Sequence, residues 1–100
     1  MSRLRISARA KRDLTGIARY IARDNPVAAR RWVQRLRARA RAVAHHPASG
    51  RKVLEYDRDD IREVLVGNYR IVYYVGSREV VVLHATEGHR RLPDDPDPSG

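Results

Sequence analysis

The stretch Ile61–Arg91, IREVLVGNYRIVYYVGSREVVVLHATEGHRR, contains three apolar runs separated by two turn signals. Runs rich in valine, isoleucine and tyrosine are typical of β-strands. Gly67-Asn68 indicates a two-residue hairpin turn, and Gly76-Ser77-Arg78 indicates a slightly longer one. The stretch therefore predicts three consecutive antiparallel strands.

The two turns decide which residues face each other across the predicted sheet. A two-residue turn pairs Val66 with Tyr69, and the other pairs of the first hairpin follow from that register. A three-residue second turn places Arg70 opposite His84. Seven apolar side chains then share the face that a helix layer is expected to cover: Val64, Val66, Ile71, Tyr73, Val75, Val81 and Leu83. Burial of each such side chain contributes on the order of 1.5–3 kcal/mol.

The opposite face of the predicted sheet mixes polar and apolar residues. Arg70 and His84 lie side by side on it, and Glu63 lies diagonally. The residues around them are Val72, Tyr74, Val80 and Val82. Because unpaired charges are costly on a buried face, we interpret it as a working surface or as one that a partner covers. The alternative is a cross-strand ion pair between Glu63 and Arg70 on an exposed face, which contributes only tenths of a kcal/mol.

Upstream of this stretch, the sequence predicts one strand and two helices. Leu4 and Ile6 fit a short strand, and Ser7 fits the N-cap of the helix that follows. The apolar residues of both helices repeat with the helical period: Leu14, Ile17, Ala18 and Ile21 in the first, and Ala29, Trp32, Val33, Leu36, Ala40 and Val43 in the second. Residues 24–26 separate the two helices, so a short connection joins them into an antiparallel hairpin.

These elements predict an α+β fold in a single small domain with the order β-α-α-β-β-β. An antiparallel sheet packs against the helix hairpin. Lys52–Tyr56 is a short strand or an extended segment that leads into the sheet. The domain is expected to cover residues 1–93, and the proline- and aspartate-rich residues 94–100 predict a disordered acidic tail.

The composition narrows the class of protein. The chain has no cysteine, which excludes disulfides and thiolate metal sites. We see neither a secretory signal nor a membrane-spanning apolar run, so we expect a cytoplasmic protein. The formal charge is +9, and three of the 12 acidic residues lie in the tail, so residues 1–93 carry +12. Such a charge favours a polyanion or an acidic protein partner, and a solvated basic surface is the alternative.

No metal or cofactor site is predicted. His84 and His89 lack carboxylates at the spacing of a metal site. The chain also contains no glycine-rich phosphate loop and no nucleophile motif.

Three segments of the chain stand out by their order and spacing: ISARAKRDLTGIARYIARDNPVAA near the N-terminus, IREVLVGNYRIVYYV in the sheet, and VVVLHATEGHRRLP at the end. Together they resemble the RelE/ParE superfamily of bacterial type II toxins. The resemblance covers about residues 3–93 and is closer to ParE than to RelE. It implies the same helix-hairpin and sheet architecture that the periodicity predicts.

A ParE-like identity implies a protein that inhibits DNA gyrase and traps its cleaved DNA complex, without covalent chemistry of its own. It also implies a cognate ParD-like antitoxin that forms a hetero-oligomer with the toxin. The antitoxin is expected to lay an acidic segment against the basic helices and the sheet face opposite to them. The residues expected to contact the target or partner are Arg62, Arg70, His84, His89, Arg90 and Arg91.

The alternative within the superfamily is a metal-independent, ribosome-dependent mRNA endoribonuclease. In a YoeB-like site, Glu55, Arg70 and His89 would act as general base, charge clamp and general acid. RelE itself has catalytic lysines where this chain has Ile61 and Glu63, and no residue matches its C-terminal catalytic tyrosine. A third hypothesis is a basic nucleic-acid-binding module, because the positive charge is compatible with direct binding of nucleic acid. The ParE hypothesis does not require such binding.

Overall fold

A computed structural model describes residues 2–96 and 98. Its elements are β1 (Arg3–Ile6), α1 (Ala8–Ala22), α2 (Pro26–His45), a 3₁₀ turn (Pro47–Ser49), β2 (Arg51–Lys52), β3 (Ile61–Val66), β4 (Tyr69–Val75) and β5 (Glu79–Glu87). The predicted α+β class and the predicted element order are confirmed. The short lead-in strand is β2, and it occupies only two residues.

The five strands form one sheet in the order β1-β5-β4-β3-β2. Neighbouring strands from β2 to β5 are antiparallel, whereas β1 lies parallel to β5 with Arg3 beside Glu79. The sheet is therefore mixed, which corrects the expectation of an entirely antiparallel one. The connection between β1 and β5 contains both helices and the strands β2 to β4, which provides the long crossover that a parallel pair needs.

Side-chain caps set the start of both helices. Ser7 Oγ accepts a hydrogen bond from the Ala10 amide at 3.0 Å, as predicted for the first helix. Asn25 Oδ1 accepts from the Ala28 amide at 3.0 Å, and Pro26 occupies the first turn of α2. Both caps satisfy amides that have no partner inside the helix.

The register of the first hairpin is confirmed along its whole length. Val66 pairs with Tyr69, and Arg62 pairs with Tyr73. Gly67 has φ +59°, a conformation that glycine adopts without strain, and this allows the two-residue turn. Val64, Val66, Ile71 and Tyr73 consequently face the helices in the main core, where Val75 packs at the margin.

The predicted register of the second hairpin is wrong. Val75 pairs with Val80, so four residues rather than three separate the first pair of the hairpin, and a bulge near Leu83 shifts the register again. Arg70 therefore lies opposite Thr86, and His84 lies opposite Val72. The shift changes the face of four residues: Val80 and Val82 join the helix-side core, while Val81 and Leu83 lie on the other face.

Most of the sheet face away from the helices is covered. A second apolar cluster covers it, formed by Val53, Ile61, Val72, Val81, Leu83 and Leu92, with Tyr56 and Tyr74 at its margin. The segment between β2 and β3 and the segment after β5 supply its covering side chains. The Tyr56 hydroxyl donates a 2.6 Å hydrogen bond to the Pro93 carbonyl, which joins the two segments. The expectation of a working or partner-covered face is therefore corrected, because the chain covers this face itself.

The predicted disordered tail lies partly outside the described residues. Residues 97, 99 and 100 are outside them, whereas residues 94–96 and 98 are described. Pro96 is buried, and the Arg5 guanidinium donates to the Pro98 carbonyl at 2.7 Å. The boundary at residue 93 stays a prediction.

Candidate functional site

Arg70 lies at the centre of a buried polar network on the second face of the sheet. Its guanidinium donates two hydrogen bonds to the Glu55 carboxylate, at 3.3 and 2.7 Å, and one to Glu63 at 2.9 Å. A fourth hydrogen bond reaches the Arg90 carbonyl at 2.8 Å. Only 6% of the Arg70 side chain is exposed, so its charge is directed into the protein.

The two carboxylates that hold Arg70 differ in exposure. The Glu63 side chain is 4% exposed, and its second oxygen accepts a 2.8 Å bond from Arg51. The Glu55 side chain is 39% exposed and lies at the rim of the network. The hydrogen bonds from Arg70 lower the pKa of Glu55 below its ordinary value, and they raise the already high pKa of Arg70. Arg70 and Glu55 are therefore both ionised near neutral pH. The cross-strand pair considered from the sequence does exist, but it is buried.

His84 lies on the same face as Arg70 and next to helix α1. Its Nδ1 is 3.9 Å from an Asp13 oxygen that also accepts a 3.1 Å hydrogen bond from the Ala85 amide. Burial lowers the pKa of His84, the charges of Arg9 and Arg70 lower it further, and Asp13 opposes them. The imidazole is thus neutral near pH 7. The sequence prediction missed Asp13, whose position on the first turns of α1 gave no signal of a contact with β5.

His84 makes the stability of the fold depend on pH in a defined window. Because its folded pKa lies below the ordinary value of 6.5, the unfolded chain takes up a proton first as the pH falls. We expect the free energy of unfolding to decrease as pH falls below 6.5, until the folded pKa is passed. Urea unfolding between pH 5 and 7.5 measures this loss, which His84→Gln should reduce. His45→Gln, at the exposed end of α2, should keep it, and an unchanged pH profile in His84→Gln would contradict the assignment.

The histidine and arginines after β5 lie in an exposed turn. The His89 side chain is 85% exposed and its Nε2 is 3.3 Å from Glu87. Arg91 is 87% exposed and lies 3.5 Å from Asp94. Arg90 is exposed, and only its backbone joins the Arg70 network. This turn is the accessible part of the predicted set.

Arg62 is separated from Arg70 by the sheet. It pairs with Tyr73 on the helix side and donates a 2.9 Å hydrogen bond to the Gly50 carbonyl. The structure thus brings Glu55, Glu63 and Arg70 into contact and places His84 on the same face. It leaves Arg62 on the other face and the His89 side chain in solvent.

The helix hairpin presents an apolar groove that the sequence prediction did not identify. The groove is about 560 Å³ and its floor is formed by Ala18, Ala22, Ala29 and Val33. Three arginines also line it: Arg19, Arg30 and Arg37. The signal in the sequence was the set of alanines on the facing sides of both helices, which leave room between them.

Among residues 2–96 and 98, no cluster of three histidine, aspartate or glutamate side chains is arranged to hold a metal ion. No helix in the same residues combines the length and the apolar character needed to cross a membrane.

Known proteins share both the sequence and the fold. The family described as ParE toxin of type II toxin-antitoxin system, parDE, matches residues 4–93. The putative toxin Y4kP of Sinorhizobium fredii is 36% identical over 91 residues, which are 91% of this chain and 93% of that protein. Toxin RelE2 of Caulobacter vibrioides is 36% identical over 83 residues, covering 82% and 90% of the two chains.

A solved structure shares the fold at low sequence identity. It is the chromosomal ParDE TA system from P. aeruginosa, with a TM-score of 0.72 and 18% identity. The match covers 87% of this chain and 96% of that one. With the family match over nearly the whole sequence, the resemblance seen in the three segments is confirmed: the chain belongs to the ParE toxin family of type II toxin–antitoxin systems.

Proposed function

We propose that this toxin inhibits DNA gyrase in the cytoplasm by stabilising its cleaved DNA complex, and that a ParD-like antitoxin neutralises it. The observation that carries the choice of target is the state of Arg70. A nuclease needs a free cation beside the scissile phosphate. Here the guanidinium has two carboxylate partners and 6% exposure, so a phosphate would have to displace Glu55 and Glu63.

The endoribonuclease alternative is weaker for two further reasons. The Glu63 carboxylate adds negative charge where RelE has a lysine, and this opposes phosphate binding. His89 lies in an exposed turn with 85% of its side chain in solvent, and its imidazole lies beside Glu87 rather than beside Glu55 or Arg70. A toxin that acts by binding a protein target needs neither Arg70 nor His89 in a catalytic geometry.

The apolar groove of the helix hairpin supports the antitoxin part of the proposal. Its alanine and valine floor suits apolar side chains, and its three arginines suit carboxylates on the same segment. An acidic amphipathic segment of the antitoxin therefore fits it. Because the chain covers its own second sheet face, we now confine the antitoxin contact to the helices.

The decisive experiment measures supercoiling by purified gyrase with and without the purified toxin. We expect inhibition together with double-strand breaks in the plasmid, which appear after protein denaturation. An mRNA cleavage assay with programmed ribosomes runs in parallel. Unimpaired gyrase combined with A-site cleavage of mRNA would overturn the gyrase proposal.

The variant His89→Ala tests the nuclease alternative directly in the mRNA assay, because the side chain is exposed and its removal leaves the core intact. If the toxin were a nuclease with His89 as general acid, this substitution should remove cleavage by a factor of about 10²–10⁴. His45→Ala is the matched control, since it removes another exposed histidine away from the turn.

A further inference from the structure

Helix α2 carries six arginines and no acidic residue: Arg30, Arg31, Arg35, Arg37, Arg39 and Arg41. Among the described residues, none of the six takes part in an ion pair, although other arginines of both layers do. Five of the six are exposed, and Arg39 is half-buried. Uncompensated positive charge is therefore concentrated on this helix.

The six arginines form two rows along α2. At about 100° per residue, Arg30, Arg37 and Arg41 make one row, and Arg31, Arg35 and Arg39 make the other, roughly 140° away around the axis. Between the rows lie Gln34, Ala38 and Ala42, all exposed, which we call the alanine ridge. The rows extend about 12–16 Å along the helix.

We propose that this face of α2 binds duplex DNA, with the alanine ridge over the major groove and one arginine row toward each phosphate backbone. The major groove is about 12 Å wide and admits an α-helix. The short alanine side chains let the helix axis approach closely, and the guanidinium groups contact phosphate oxygens in bidentate fashion. Gln34 is the one side chain of the ridge that can reach a base edge, so binding is largely independent of DNA sequence.

Duplex DNA fits this face better than an acidic protein segment does. Protein partners bind through apolar or aromatic anchors in pockets, and the alanine ridge offers no such pocket. The apolar groove proposed for the antitoxin lies toward α1, and it shares only Arg30, Gln34 and Arg37 with this face of α2. Duplex RNA is a poorer fit because its major groove is too narrow for a helix.

One arginine of the rows is held in place before any ligand arrives. The Arg35 guanidinium lies 4.9 Å from the centroid of the Trp32 ring. Trp32 in turn packs edge-on against Tyr69 with ring centroids 5.2 Å apart, next to the turn at Gly67. Stacking on a fixed ring reduces the side-chain entropy that Arg35 loses on binding a phosphate.

The test uses the purified full-length protein and a labelled duplex of random sequence, with affinity measured by fluorescence anisotropy between 50 and 200 mM salt. Each lost phosphate contact should reduce the slope of log K against log[salt] by about one. We expect the slope to fall by about two in R31Q/R35Q and by about two in R37Q/R41Q. The control R3Q/R78Q removes the same charge from exposed sites at β1 and before β5, and its slope should stay near that of the wild type.

Three results would overturn the proposal. They are an equal loss of slope in R3Q/R78Q, displacement of the duplex by a polyglutamate peptide of equal charge, and equally tight binding of duplex RNA. The first result would indicate that the overall positive charge of the protein, rather than this face of α2, attracts the duplex. The second would indicate an acidic protein partner. The assay contains no gyrase, so DNA binding by a toxin that leaves gyrase unimpaired would refute only the function proposed above.

Discussion

Arg70→Met is expected to lower the free energy of unfolding by about 3–5 kcal/mol, because it leaves a buried carboxylate without its main partner. Glu63 is 4% exposed and would keep only the bond from Arg51, while Glu55 can turn toward solvent. Methionine fills most of the volume of arginine, so the loss comes from charge rather than from a cavity. Urea unfolding at pH 7 measures it.

A second variant separates the buried charge from the packing. Glu63→Leu combined with Arg70→Met removes both buried charges, and we expect it to regain most of the stability. Arg58→Met is the matched control, since Arg58 makes a two-bond pair with Asp60 at an exposed site and its loss should be far smaller. A loss in Arg70→Met no larger than in Arg58→Met would contradict a structural role of the network.

The stability of the protein in acid should depend on the same network of Arg70, Glu55 and Glu63. The pKa of Glu55 is lowered by its bonds to Arg70, so the stability they supply is present above pH 4.5 and is lost as pH falls through the folded value. Arg70→Met should flatten this part of the pH profile. An equally steep profile in the variant would assign the acid sensitivity to other carboxylates.

Gly50→Ala is expected to destabilise the protein by about 2–4 kcal/mol, since the added methyl has no room. A Cβ at this buried position would overlap the Tyr73 hydroxyl and lie 2.6 Å from the Glu63 carbonyl oxygen. Tyr73 is fully buried, and its hydroxyl accepts from the Gly50 amide at 2.9 Å and donates to the Pro47 carbonyl at 2.8 Å. The ring cannot move without breaking both bonds. Thermal and urea unfolding measure the effect.

Two controls test the cause of that loss. Gly16→Ala adds the same methyl where nothing lies within 4 Å, in the interior of α1, and should stabilise by about 0.5–1 kcal/mol. Tyr73→Phe removes the hydroxyl that the new methyl would meet, so Gly50→Ala should cost less in that background than in the wild type. Strictly additive losses would show that the overlap is relieved in some other way.

The hairpin from β3 to β4 could be predicted because its turn leaves no freedom in the register of the two strands. Gly67-Asn68 is a two-residue turn, and one fixed pair sets all the others. The second hairpin could not be predicted in the same way. Its turn contains no comparable signal after Gly76, and the bulge near Leu83 has no mark in a run of valines and leucine. Two small irregularities reversed the faces of Val80–Leu83.

The candidate site was predicted only in part for a related reason. The pairing of Glu63 and Arg70 followed from the first hairpin, whereas the third member, Glu55, comes from a segment whose path depends on tertiary packing. Val53, Tyr56 and Leu92 are isolated apolar residues in polar surroundings, so periodicity could not show that they cover the sheet. The burial of Arg70 results from that cover, whereas His89 is exposed because it lies in the turn after β5.

The position of β5 has a consequence for synthesis of the toxin in the cell. The strand made last lies between β1 and β4, and Arg3 finds its partner 76 positions later at Glu79. At about 5–20 residues per second, the ribosome needs about 4–15 s to cover that distance. During this time β1 and both helices have no complete sheet to pack on, and such long-range pairing folds slowly. The growing chain thus cannot complete its sheet until β5 has been made, and on the proposal above this leaves an interval in which an antitoxin already present meets the helices first.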